Sequence, residues 1–115
     1  MSGEDALQVL STIVARANDI QEIKQKIANW DKVFQFKPSD AEPFILQAVN
    51  GVLNVSRGLH PNPTATLEAS HQDLLAMMKG ELDPVKAFFS GRLKIKGDVF
   101  ATQELNSILR TVQKK

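Results

Sequence analysis

Between Met77 and Gly97 the chain reads MMKGELDPVKAFFSGRLKIKG, and the stretch compresses a helix end, a helix start and a strand into one short block. Gly80 offers a residue without Cβ where a helix needs a left-handed cap, and Asp83-Pro84 sets an N-cap ahead of proline at the first helical position. The helix so opened runs into Gly91. Beyond it Leu93 and Ile95 alternate with Arg92, Lys94 and Lys96, the period-two pattern of a strand with one buried and one wet face. The doublets Met77-Met78 and Phe88-Phe89 give two successive short helices a wider apolar surface than one packing seam requires. That surplus is either core or the wall of a cavity.

Upstream, Ala6, Leu7, Leu10, Ile13, Val14 and Ala17 recur at helical spacing until Asn18-Asp19 interrupts them. Asp19 with Glu22 three residues on reads as an N-cap and its box partner, opening a helix whose stripe is Ile20, Ile23 and Ile27. Val33 to Lys37 alternates, with Phe34 and Phe36 on one face. Pro38 to Glu42 is a turn-rich loop, and Phe44 to Val49 is apolar on both faces except at Gln47, as expected near the middle of a sheet. Asn50-Gly51 is the strongest hairpin signal, because a type I′ turn needs positive φ at both central positions. The returning strand carries Val52, Leu53 and Val55. After a loop from Arg57 to Pro63, Thr64, Thr66 and Glu68 alternate with Ala65, Leu67 and Ala69, a fourth strand with a polar outer face.

Ser70 and Asp73 form a capping motif for a helix from His71 to Lys79 with Leu74, Leu75, Met77 and Met78 inward. A last helix from about Val99 to Val112 carries Ala101, Leu105, Ile108, Leu109 and Val112 on one stripe. This order predicts an α+β fold: a five-stranded, mostly antiparallel sheet covered on one face by helices.

The block from Met77 to Gly97, with Asn50-Gly51, Gly58, Pro63-Thr64 and Ser70 to Asp73 ahead of it in that order, resembles the sterol carrier protein 2 family over about Ile20 to Val112. The resemblance implies a lipid-binding domain spanning 1–115, with an N-terminal helix over 1–18 and an apolar tunnel between sheet and helices. It also implies the wall of that tunnel: Phe34, Phe36, Leu46, Leu53, Val55, Leu74, Met77, Met78, Phe88, Phe89, Leu93, Ile95, Phe100, Gln103, Leu105, Ile108 and Leu109. The last helix and the segment Asp83 to Gly91 would gate it. Polar candidates at the mouth are Gln103 and Asn106, with Arg92 or Lys96 nearby. The chain departs from the family at Asp98-Val99-Phe100, whose bulk would reshape or fill the tunnel, and at Asn62-Pro63.

An empty pocket at the lower bound of about 300 Å³ would cost roughly 7 kcal/mol at ~24 cal/mol per Å³, comparable with the whole stability of a domain. Such a tunnel must hold lipid or partly close, and unbranched methionines suit a wall that repacks. The implied function is a non-enzymatic carrier of a fatty acid, fatty acyl-CoA, phospholipid or sterol- or isoprenoid-like lipid. The alternative is an accessory or dimerisation module of a larger lipid-metabolism enzyme complex, its pocket vestigial.

Composition restricts the remaining classes. With 115 residues, 43% hydrophobic and 23% charged, the chain has ordinary single-domain proportions. No apolar run approaches the roughly 18 residues of a membrane span, and no basic-then-apolar leader opens the chain. The C-terminal Gln113-Lys114-Lys115 differs from the Ser-Lys-Leu tripeptide of peroxisomal members, so a cytoplasmic location is expected. Residues 1–78 carry six Lys/Arg against nine Asp/Glu and residues 79–115 eight against four. The basic C-terminal third either keeps an edge strand solvated or meets an anionic membrane surface or a lipid-metabolising enzyme. The near-neutral balance and the absence of an RNA-binding or zinc-finger signature argue against nucleic acid. Zero cysteine removes thiolate catalysis, and His60 and His71 sit outside any catalytic or metal-ligand spacing, so neither enzyme activity, metal nor cofactor is expected. Trp30 reads as a core anchor.

Overall fold

A computed structural model describes residues 5–114; of the spans expected above, residues 1–4 and 115 lie outside the described residues. The elements are α1 (Ala6–Ala17), α2 (Gln21–Lys26), β1 (Asp31–Pro38), β2 (Phe44–Val49), β3 (Val52–Arg57), β4 (Ala65–Ala69), α3 (His71–Met78), α4 (Pro84–Phe89), β5 (Lys94–Gly97) and α5 (Val99–Lys114). The five strands form one sheet in the order β3-β2-β1-β4-β5. All neighbours are antiparallel except β1 and β4, which run parallel with Phe34 opposite Ala65 and Phe36 opposite Leu67.

Local chemistry starts four of the five described helices. Asp5 Oδ1 accepts from Gln8 N at 2.8 Å, Ser70 Oγ from Asp73 N at 3.1 Å, Asp83 Oδ1 from Val85 N at 2.9 Å and Asp98 Oδ1 from Ala101 N at 2.9 Å. The expected cap at Asp19 is not formed. Asp19 N and Ile20 N still donate to Arg16 O and Ala17 O, so the chain leaves α1 one residue later and Ile20, without a side-chain acceptor, becomes the cap of α2. Asn50 and Gly51 have φ of 54° and 78°, the two positive values the hairpin between β2 and β3 needs.

One face of the sheet carries Phe34, Phe36, Phe44, Leu46, Ala48, Leu53, Ala65 and Leu67, all buried against α1, α3 and α5. Trp30 packs at the margin of this core, its ring 6.2 Å from that of Phe34. The other face is less wet than the alternation of β4 predicts. Thr66 is only 8% exposed and accepts from Gln35 Nε2 at 3.2 Å, while Gln35 Oε1 accepts from His60 N at 2.8 Å. The loop after β3 therefore folds back over the polar face. Thr64, expected within the strand, precedes it: its hydroxyl accepts from Val33 N at 2.9 Å and its N–H donates to Val33 O.

Arg92 is not a strand residue. Its N–H and that of Leu93 both donate to Ala87 O, closing α4, and its guanidinium reaches Asp73 on α3 at 2.6 and 3.3 Å. The strand begins only at Lys94 because those backbone bonds hold Arg92 and Leu93 in the turn. Gly97 ends β5 where no side chain fits: a Cβ there would lie 2.5 Å from Thr64 O.

Candidate functional site

Three depressions meet where α4 approaches α5. The central one is an apolar cavity of about 40 Å³ between the sheet and the helices, lined by Phe36 and Leu67 of the sheet, Leu74, Met77 and Met78 of α3, Pro84 of α4, and Thr102, Leu105, Asn106 and Leu109 of α5. It lies where the tunnel is expected and is far smaller than the roughly 300 to 1,000 Å³ of a ligand pocket. At ~24 cal/mol per Å³ its present volume costs about 1 kcal/mol, against roughly 7 for a pocket at the lower bound.

On one side an open groove of about 250 Å³ shares Pro84, Thr102 and Asn106 with the cavity and adds Val85, Phe88, Phe89, Ile95, Val99 and Gln103. Its lining contains no charged residue. On the other side a depression of about 320 Å³ shares Met77, Pro84 and Asn106 with the cavity and adds Lys79, Gly80, Leu82, Asp83, Arg110, Gln113 and Lys114. Pro84 and Asn106 belong to all three. The N-terminus of α4 and one side chain of α5 therefore stand between the cavity and both openings.

The expected wall residues separate into groups. Phe36, Leu74, Met77, Met78, Leu105 and Leu109 line the cavity, and Phe88, Phe89, Ile95 and Gln103 line the groove. Phe34, Leu46, Leu53, Leu93 and Ile108 are buried core and Val55 is partly buried against it, none touching these openings. Phe100 does not fill the cavity: it stands 80% exposed on the solvent side of α5, and Phe89 at the groove edge is 81% exposed. Of the polar mouth candidates, Gln103 and Asn106 take that position. Arg92 and Lys96 instead pair with Asp73 at 2.6 Å and Glu68 at 3.3 Å.

Leu67, Pro84, Val85, Val99 and Thr102 also line the openings. Leu67 was readable from the alternation of its strand, and Thr102 from its place one residue after Ala101 on the stripe of the last helix. The Thr102 hydroxyl donates to Asp98 O at 3.2 Å, so it enters an apolar wall without an unpaired polar atom.

The histidines serve the backbone. His71 Nε2 accepts from Ala6 N at 3.0 Å, tying α1 to α3, and His60 Nδ1 accepts from Asn62 N at 3.0 Å within its loop. Among the described residues no group of three or more His, Asp or Glu side chains converges as a metal site requires. No helix among them is long and apolar enough to cross a membrane.

Comparison with known proteins agrees with this fold. The chain is 45% identical to mouse (Mus musculus) peroxisomal multifunctional enzyme type 2 over 49 residues, covering 43% of this chain and 7% of that protein. To sterol carrier protein 2 of Rattus norvegicus it is 31% identical over 81 residues, covering 66% of this chain and 15% of the other. It therefore spans less than a fifth of these curated relatives. The solution structure of the sterol carrier protein domain 2 of Helicoverpa armigera superposes with a TM-score of 0.74 at 23% identity, over 100% of this chain and 96% of that one. The sequence model of the SCP-2 sterol transfer family matches residues 10–110, and the chain belongs to that family.

Proposed function

We infer that the protein is a non-enzymatic lipid carrier in which residues 1–115 act as one binding domain, taking up a fatty acid, fatty acyl-CoA, phospholipid or sterol- or isoprenoid-like lipid. The observation that carries this reading is that the apolar cavity lies directly against the uncharged aromatic groove, the two sharing Pro84, Thr102 and Asn106 as a common wall. An acyl chain entering the cavity would displace the thioether chains of Met77 and Met78, which repack at little cost because they are unbranched. Affinity would grow with chain length at roughly 0.8 kcal/mol per buried CH₂ before entropic costs. In this reading the last helix and the segment Asp83 to Gly91 form the gate, the compartment is the cytoplasm, and cargo passes at an anionic membrane surface or to a lipid-metabolising enzyme. Exposure of Phe89 and Phe100 beside the opening supports such a contact.

A second reading, an accessory or dimerisation module with a vestigial pocket, is favoured by the small cavity and by the short share of larger relatives that the chain matches. Thermal unfolding separates the two. A carrier gains about 2.7 kcal/mol at a hundredfold excess of lipid over its Kd, independent of protein concentration. A dimerisation module gains stability with protein concentration and ignores lipid.

A further inference from the structure

We propose that the depression on the charged side of the cavity is an anion site for the head of a single-chain lipid, a carboxylate or phosphate ester held by Arg110 and Lys114 of α5. The proposal rests on the carrier reading and fixes which way the cargo lies.

The two openings of the cavity differ in charge. The groove through Phe88 and Phe89 has no charged lining residue, whereas Lys79, Arg110 and Lys114 line the opposite depression with one carboxylate, Asp83. Asp83 is already engaged, its Oδ1 accepting from Val85 N at the start of α4. Asn106, Arg110 and Lys114 follow one another at intervals of one helical turn, so the cations continue the line of α5 that begins at the cavity edge. Gln113 donates to Met78 O, joining α5 to the end of α3 and holding both walls of the depression together.

An anionic head at the open groove among Phe88, Ile95 and Val99 would find no cation to pair with. It can sit in a solvated depression facing two cations while its tail passes Asn106 into the apolar cavity. The orientation follows from the charge difference alone: head toward Arg110, tail toward the sheet.

The test compares two ligands of equal chain length, hexadecanoate and hexadecan-1-ol, titrated at low ionic strength into the full chain and into Arg110→Gln/Lys114→Gln. Two exposed ion pairs at roughly threefold each predict that the wild-type chain prefers the carboxylate by about tenfold. That preference should shrink as salt is raised and vanish in the double variant, while Arg110→Lys retains part of it. A preference that survives the double variant overturns the site, as does equal affinity for acid and alcohol in the wild type; both leave the carrier reading standing. Binding of neither ligand overturns the proposal, and the carrier reading falls with it only if phospholipid and sterol also fail to bind. Protection by inorganic phosphate equal to that by hexadecanoate would assign the depression to free anions and also overturn the proposal.

Discussion

Asn18 and Leu53 exchange two hydrogen bonds: the Asn18 Nδ2 donates to Leu53 O and Leu53 N donates to Asn18 Oδ1, both at 3.0 Å. One side-chain amide thereby supplies what a further strand would supply to β3, which lies at the edge of the sheet. The same contact anchors the end of α1 over that edge. Asn18→Ala leaves a donor and an acceptor of Leu53 without their partner, and an unsatisfied group costs about 1–3 kcal/mol. Denaturant unfolding should show a lower midpoint with unchanged slope.

Gly97→Ala should be more damaging than its size suggests. Gly97 has φ of 96°, and the added Cβ would lie 2.5 Å from Thr64 O and 3.1 Å from Ala65 Cα, both backbone atoms at the entry to the neighbouring strand β4. Backbone strain of this kind costs on the order of 1–3 kcal/mol, and separation of β5 from β4 would add to it. Hydrogen exchange should report lost protection in β5 before the rest of the sheet.

Asp73 gives the fold a measurable response to acid. Hydrogen bonds from Arg92 hold the Asp73 carboxyl below its ordinary value of 3.8, outweighing burial, which pushes it up, while the Arg92 charge and Ser70 add to the lowering. Because the folded pKa is depressed, the stabilisation is complete above the unfolded value and is lost as pH falls through the folded one. Thermal midpoints of Asp73→Asn should lie below those of the wild type at neutral pH and converge with them in strong acid.

Asn106→Trp should close the passage that the cavity shares with both openings, since Asn106 borders all three. The site is only partly buried, so the fold should tolerate the change. Uptake of a fluorescent fatty acid should fall at least about tenfold, the equivalent of roughly 1.4 kcal/mol of binding. Phe100→Ala, by contrast, should leave uptake unaltered because that ring does not reach the cavity.

What the sequence made legible was the local chemistry. Asn50-Gly51, Ser70 and Asp83-Pro84 act within three residues of themselves, and each does in the fold what its type and spacing predict. The failures are of longer range. Nothing around Asp19 announces that the preceding turn stays bonded to Arg16, nor does Arg92 announce its partner nineteen positions earlier. The parallel pairing of β1 with β4 and the cover that His60 lays over Gln35 and Thr66 are products of the assembled sheet. For the site, helical and strand periods identified apolar residues but not which of them meet a cavity. Phe34 and Phe36 share one face of β1, yet only Phe36 lines the cavity, while Phe34 is fully buried in the core. Phe89 and Phe100 are exposed because α4 is six residues long and α5 buries its opposite side, through Ala101, Leu105 and Ile108.

The most direct test of lipid carriage is native mass spectrometry of the gently purified protein, followed by organic extraction and identification of what is released. The account predicts a near-stoichiometric acyl or isoprenoid species, or its appearance after incubation with mixed lipids. A clean unliganded mass that stays unchanged after that incubation would contradict it.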